Sequence, residues 1–503
     1  MEAENFSEQD KELLLNHVTN LDSNIYCLFN LPPEVVAVLF AYVSRSNLTF
    51  RANLLKLIKD EELDMALASK STAPDYSSAK EKAMKFHDKW VVGYGHSSVA
   101  EHAVASIALE DISMMASKFI ADNRLASYTG KSSRYQIYDK NHYYKPKNLM
   151  NSRHGKMYEE TCNELFSLYS KMEEPMKAFV RENFEKPPEM TEKLYESKVF
   201  AKTCDIIRYL LPASTHTSKA MTCNARVLEH AISKLCSHEL HEYQEIGKKM
   251  KEEVQKIIPT LVKYAGDKPY FRETNKELNS FIKERNPEKI KDQNKPVEIV
   301  HYDKEAEDKL VAAILYRYTH APYSQAWSKV KKMSEEEKNE IYDKYLNKMN
   351  KHDWPMRELE HIYYTFDILM DYGGWRDVQR HRMATQTNQD ITVKHGYEML
   401  PEIEQAGFKQ DYENAMNKAK ETFLEIEKEF PLEAQYVVPI AFKKRDLFTW
   451  NLRELHHFIK LRSTKHGHAS YRKIAQECWK ELNKIHPKLA GYIKVDLEET
   501  GWH

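Results

Sequence analysis

The strongest constraint on how this chain folds is that it repeats itself. Thr222, Asn224, Arg226, Leu228, His230 and Ile232 recur at one constant interval as Thr449, Asn451, Arg453, Leu455, His457 and Ile459, and Pro212 recurs at that interval as Pro439. Agreement at this many fixed positions marks an internal duplication, and a duplication governs architecture because each copy has to build the same unit. A second pair of stretches supports it: Glu101-His102 and Glu360-His361 lie at a similar distance ahead of RLASYTGKSSRY, which starts at Arg124, and RHRMATQTNQ, which starts at Arg380. The seam falls in residues 267–300, rich in Lys, Glu, Asn and Pro and poor in large apolar side chains, with a boundary near Lys295-Pro296. The expected organisation is an N-terminal helical extension over 1–33, a first copy over 34–295 and a shorter second copy over 296–503.

Local patterning fills in the copies. Residues 34–58 carry a helical spacing of apolar side chains, Val35, Val36, Leu39 and Phe40, then Leu54, Leu55 and Leu57. GYGHSSVAEH over 93–102 reads as a loop entering a strand over 104–112. The stretch 153–265 is helix-rich, interrupted at Pro187-Pro188 and Leu211-Pro212. In the second copy 361–370 is strand-like, and a final helical region is predicted from about Leu447. Its spacing would set Asn451, Leu455 and Arg462 near one helical face, with Arg453 and His457 as neighbours one turn apart.

Composition narrows the class of function. The 503 residues are 42% hydrophobic and 30% charged, which is globular, and the formal net charge of −1 comes with no block of like charge to act as a nucleic-acid arm. The expected partner is a small molecule or another protein. Six cysteines, Cys27, Cys162, Cys204, Cys223, Cys236 and Cys478, show no metal-ligand spacing, and His466-Gly467-His468 lacks a third ligand, so no metal is expected. The start MEAENFSEQDKELLL lacks a basic end and apolar core, and no apolar run approaches the roughly eighteen residues of a membrane span. These features point to a cytoplasmic protein with reduced thiols.

The Arg124 segment crowds arginines, serines and a glycine into what reads as a turn-rich stretch. Hydroxyls, backbone N–H groups and guanidinium forks suit a phosphate or a polarised carbonyl, although the same residues also describe a capped loop. The polar side of the Asn451 segment likewise suits either a ligand or solvent.

Together these stretches resemble the flavin-dependent thymidylate synthases, whose signature RHRxxSxNExSxR follows a Glu-His pair. Arg124, Ser127, Ser132 and Arg134 match its later part, with Asp122-Asn123 in place of its first Arg-His and Thr129-Gly130 in place of its Asn-Glu. Arg380-His381-Arg382 match its start, after which the copy drifts to Thr385, Thr387, Asn388 and Asp390. The family's NARxLxxFLxLR is met by Asn224-Ala225-Arg226, with Leu235 replacing the last Arg, and by Asn451, Arg453 and Arg462. The arginine before its Leu-Pro dipeptide is Arg208 in the first copy and Gln435 in the second.

The resemblance implies an α+β fold, two tandem helix-rich copies with a mixed or antiparallel sheet in each. It implies FAD as cofactor and transfer of a one-carbon unit from methylenetetrahydrofolate to C5 of dUMP, with NADPH as reductant; the flavin then carries the hard chemistry. It assigns Arg462 to the uracil ring as the catalytic charge stabiliser, and Ser132, Arg134, Arg208 and Arg124 to the nucleotide. To the flavin it assigns His102, His361, Arg380, His381, Arg382, Asn224, Arg226, Asn451, Arg453 and His457, though a histidine such as His102 or His361 also reads as a satisfied structural residue. Ser132 is expected to donate a hydrogen bond and not to act as a nucleophile, since no histidine stands in a base position for it. The family builds its sites between subunits of a homotetramer, which implies a homodimer acting as a pseudo-tetramer. The losses are complementary, so the two copies read as halves of composite sites. The rival readings are a diverged flavoenzyme for another pyrimidine nucleotide and a non-catalytic flavin- or nucleotide-binding protein.

Overall fold

The structure is a computed structural model that describes residues 6–43, 46, 48–59, 97–140, 142–285, 295–350, 352–465 and 467–498. The start of the expected 93–102 loop, residues 286–294 of the seam and His466 lie outside the described residues. Two compact units emerge: residues 1–110, 125–130 and 218–288 form one, and 111–124, 131–217 and 289–503 the other. Units and sequence copies therefore divide the chain differently, because 131–217 of the first copy packs with the second.

In the first unit, helices Glu8–Leu15, Pro33–Val43 and Phe50–Lys59 close around Leu14, Val35, Val38, Leu39, Leu54 and Leu57. The sheet has strand order β1-β3-β2, with β1 at Val104–Ser113, β2 at Ala126–Gly130 and β3 at His216–Asn224. Strand β2 pairs antiparallel with β3, from Ala126 opposite Cys223 to Gly130 opposite Lys219. This corrects the turn-rich reading of the Arg124 segment: its middle is an edge strand, and β-branched Thr129 and aromatic Tyr128 suit a pleated surface. Arg124-Leu125 before the strand and the residues after Gly130 keep the turn character.

The second unit holds a four-stranded antiparallel sheet ordered β4-β5-β7-β6, with β4 at Val297–Tyr302, β5 at Tyr363–Asp371, β6 at Thr385–Asn388 and β7 at Lys443–Asn451. The helical region expected from Leu447 begins instead at Leu452. Lys444, Asp446, Phe448 and Trp450 alternate inward on β7, and the two charged members, an ion pair at 2.5 Å, disguised the strand period. Trp450 is fully buried and stacks on Phe448 at 4.9 Å and on Phe458 at 4.7 Å, which ties the strand to the following Leu452–Arg462 helix. Each such ring pair adds about 0.5–1.5 kcal/mol beyond burial. Asn451 is the cap of that helix, so it does not share a face with Leu455 and Arg462 as its spacing suggested.

The sheet order β5-β7-β6 repeats β1-β3-β2, with β4 added at an edge, and the hydrogen bonds repeat as well. Asn224 Oδ1 accepts from Val227 N at 3.0 Å, and Asn451 Oδ1 from Glu454 N at 2.8 Å. Ser106 and Thr222 hydroxyls meet at 2.8 Å, those of Thr365 and Thr449 at 2.9 Å. Within the second unit the copies meet about a local two-fold. Pro212 bridges to its own counterpart Pro439, flanked by Ile440 N donating to Leu211 O at 3.0 Å and Ala213 N to Val438 O at 2.9 Å. A residue facing its own equivalent is the mark of an isologous contact. Helices Gly155–Asn183 and Lys409–Ile426 pack beside it, with buried Thr161 and Thr422 hydroxyls 2.8 Å apart. Among the described residues no helix is long and apolar enough to cross a membrane.

Candidate functional site

Asp205 lies one turn before Arg208 at the end of the Glu192–Ile207 helix, and the pair anchors a cluster of guanidinium groups. Arg134 Nε donates to Asp205 Oδ2 at 2.8 Å, with Nη2 of the same side chain at 2.7 Å, and Arg208 Nη2 lies 3.2 Å from Asp205 Oδ1. Ser133 Oγ accepts from Arg208 Nη1 at 3.4 Å and from Arg376 Nη2 at 3.0 Å. Arg376 belongs to the second copy, on helix Tyr372–Val378, whose cap Asp371 accepts from Gly374 N at 2.6 Å and from the Ser470 hydroxyl. Two guanidiniums thus face the Asp205 carboxylate, and a third, Arg376, joins them through Ser133. Burial raises the Asp205 pKa, but Arg208 and Arg134 outweigh it and hold the carboxyl below its usual range. His468, ring-stacked on Tyr209 at 5.7 Å, is pushed down to about 3 by burial and by Arg208, so it stays neutral and adds no charge. Arg208 is 2% exposed; its Nε and the Nε of Arg376 are buried without hydrogen-bond acceptors, while its Nη2 meets Asp205 Oδ1 as an ion pair outside hydrogen-bond geometry. Unmet buried donors cost about 1–3 kcal/mol each, and they match the oxygens of a phosphate.

A second cluster adjoins the first. Arg462 Nε donates to His381 Nε2 at 3.0 Å, and His381 Nδ1 lies 3.1 Å from Glu454 Oε1. Burial lowers the His381 pKa against the pull of Glu454, and the charge of Arg462 lowers it further. The Arg462 guanidinium sits over the Tyr471 ring at 5.3 Å. Asp377 links the clusters: burial opposes its ionisation, yet Arg380, Arg208, Lys118 and Arg462 hold it at about 2. Tyr471 stands near both Arg134 and Arg462 and acts electrostatically on each. The arrangement has an anion-holding end and an arginine–imidazole end.

The other residues singled out by sequence are placed as follows. Ser132 Oγ accepts from Arg134 N at 3.2 Å and stiffens its own loop, leaving Ser133 to reach the guanidiniums. Arg124 Nη2 donates to Ala384 O at 2.9 Å, while Arg382 Nε approaches Arg124 O at 3.5 Å, so these two counterparts lie side by side. Arg380 is largely exposed and lies 3.4 Å from Asp377. This strip of guanidinium forks fits the diphosphate of a dinucleotide such as FAD. Asn224 and Asn451 are occupied as helix caps, and Arg226 and Arg453 pair with Glu101 at 2.5 Å and Glu360 at 2.9 Å. His361 is exposed, His457 lies beside the His381 ring at 5.4 Å, and His102 meets Phe40 edge-on at 4.6 Å. His102, Asn224 and Arg226 belong to the first unit, whereas Arg134, Arg208, His381 and Arg462 come together in the second. Sequence reasoning missed Ser133, Asp205 and Arg376. The available signals were the spacing of one helical turn from Asp205 to Arg208 and from Arg376 to Arg380. Among the described residues no three metal-ligating side chains gather.

Comparison with known proteins agrees with the duplication. A family model described as thymidylate synthase complementing protein matches residues 45–260 and again 298–488. A UPF0159 protein of Chlamydia muridarum is 34% identical over 511 residues, covering 98% of this chain and 96% of its own. A flavin-dependent thymidylate synthase of Saccharolobus solfataricus is 30% identical over 228 residues, 42% of this chain and 75% of its own. A solved flavin-dependent thymidylate synthase from Helicobacter pylori, complexed with FAD and dUMP, aligns with 40% of this chain and 100% of its own at 20% identity and a TM-score of 0.30.

Proposed function

The chain belongs to the thymidylate synthase complementing protein family, and on that premise we propose that it methylates dUMP to dTMP at one composite site per chain, using FAD, methylenetetrahydrofolate and NADPH. The observation that carries the reading is the cluster of three guanidiniums, with buried donors lacking acceptors, beside the Arg462–His381 pair. Arg208, Arg376 and Arg134 gather about Ser133 and Asp205, with Asp377 as a second nearby carboxylate, and their guanidinium forks suit the oxygens of a phosphate. Ser133 orients two of the forks. Arg462 at the other end would meet the uracil ring and stabilise the negative charge that develops there, a role that gains strength in a site shielded from water. FAD would lie on Arg380, Arg382 and Arg124 and supplies the redox chemistry when bound.

The two copies, divided near Lys295, would serve this site unequally, and two chains would associate to a pseudo-tetramer. A second reading, a flavin- or nucleotide-binding protein without synthase activity, is favoured by Thr129-Gly130 and Thr387-Asn388 standing where the resemblance calls for Asn-Glu. Expression in a thymidine-requiring strain separates the two: growth without thymidine is the expected result, and failure to grow together with dUMP binding by the purified chain would support the second reading.

A further inference from the structure

Arg462 has one of its donors committed before any ligand arrives. Its Nε–H goes to His381 Nε2 at 3.0 Å, and His381 Nδ1 lies 3.1 Å from Glu454 Oε1. Each link dictates the next. A guanidinium only donates, so Nε2 has to be the unprotonated ring nitrogen. The imidazole proton then sits on Nδ1, and the group facing it has to accept, which the Glu454 carboxylate does. His381 is 4% exposed and packed edge-on against Phe458 at 5.0 Å, an environment that keeps the ring neutral, the state this chain of contacts needs. The backbone N–H of Glu454 separately bonds the Asn451 cap, so the helix start does not depend on its carboxylate.

The duplication supplies an independent observation. At the repeat intervals His381, Glu454 and Arg462 correspond to Asn123, Val227 and Leu235 in the first copy. The helix caps and the Arg–Glu pairs are kept in both copies, as interactions needed for folding should be. These three side chains are absent from the first copy as a set.

We propose that Glu454 is a positioning residue which, through His381, fixes the direction of Arg462 for the base of the nucleotide. The proposal rests on the reading that Arg462 meets the base of dUMP, and the test keeps the two apart. Calorimetric titration of the full chain with dUMP is carried out for Arg462→Ala, Glu454→Gln, the double variant and Glu454→Asp. Arg462→Ala and Glu454→Gln should each weaken binding by roughly 10-fold, the scale of a hydrogen bond to a charged group. The double variant should bind no worse than Arg462→Ala alone, because coupled residues are not additive, and Glu454→Asp should recover part of the loss. Arg462→Ala binding as tightly as the parent would overturn the underlying reading. Loss in Arg462→Ala with parent-like Glu454→Gln, or additive losses in the double variant, would overturn the positioning role alone. Nitrogen NMR of the parent protein, with the His381 signals assigned by His381→Gln, should find Nδ1 protonated and Nε2 bare; a proton on Nε2 refutes the proposal even if a variant fails to fold.

Discussion

Arg208 and Gln435 occupy equivalent places in the two copies, yet they live by opposite rules. Arg208 faces Ser133 and leaves its buried Nε without an acceptor. Gln435 Oε1 accepts from Ile391 N at 3.0 Å, and Ile391 is the residue that corresponds to Ser133 at the interval relating Arg124 to Arg382. Arg376 likewise corresponds to Lys118, whose Nζ donates to the Arg376 carbonyl at 2.5 Å. One half-site keeps buried donors without acceptors; the other has committed its polar groups to the backbone. A duplicated chain needs a working site only once. In the half released from that demand, a neutral amide and an apolar side chain relieve the desolvation cost of buried, partly paired cations.

The sharpest way to break this comparison is to convert one half into the other. Arg208→Gln should abolish measurable dUMP binding, read by calorimetry, while Arg134 keeps buried Asp205 paired. Titration of the parent chain should stop at one dUMP, and two equivalent sites per chain would show that the Gln435 half still binds.

Next in size, Arg376→Ala should lose roughly 1.5–3 kcal/mol of dUMP affinity, the scale of a charge-assisted hydrogen bond. Lys118→Ala, its counterpart, should leave affinity within about 0.5 kcal/mol, as for a change that touches no ligand. Equal losses would erase the asymmetry.

Acid should distinguish the Arg208 half through His468. The folded protein holds this ring neutral, with its pKa at about 3 against about 6.5 for a free imidazole, so the unfolded chain takes up the proton first and stability falls as pH drops below about 6.5. The slope from this residue is about 1.4 kcal/mol per pH unit. His468 Nδ1 also accepts from Ser470 N at 3.2 Å, so His468→Asn, which can keep that cap, should flatten the slope in denaturation curves at pH 7, 6 and 5. An unchanged slope would mean that the ring is not buried neutral.

The smallest effect concerns what the copies still share. Asn224→Ala and Asn451→Ala remove equivalent helix caps and should each cost about 1 kcal/mol. A large difference between them in thermal unfolding would show that divergence has reached the scaffold as well as the site.

What the amino-acid order settled by itself was the duplication and its unequal fate. Identity at fixed intervals is a property of the string, so Thr222 and Thr449, or Arg208 and Gln435, can be matched with no coordinates. The sheet in each copy was implied by the family resemblance, while β7 itself was not legible, because a buried Lys444–Asp446 pair reads as a solvated face until the sheet shows it turned inward. Arg134, Arg208 and Arg462 stand out in the sequence, whereas Arg376 and the partners of these arginines do not. That Ser133 and not Ser132 reaches the guanidiniums, that Asp205 neutralises one of them, and that Arg376 arrives from the other copy are facts about space. Only the local two-fold at Pro212 and Pro439, which folds 131–217 against the second copy, sets these residues within hydrogen-bond distance. Side-chain type says what a group can bond; chain folding alone decides which of its many complementary groups lies within about 3 Å of it.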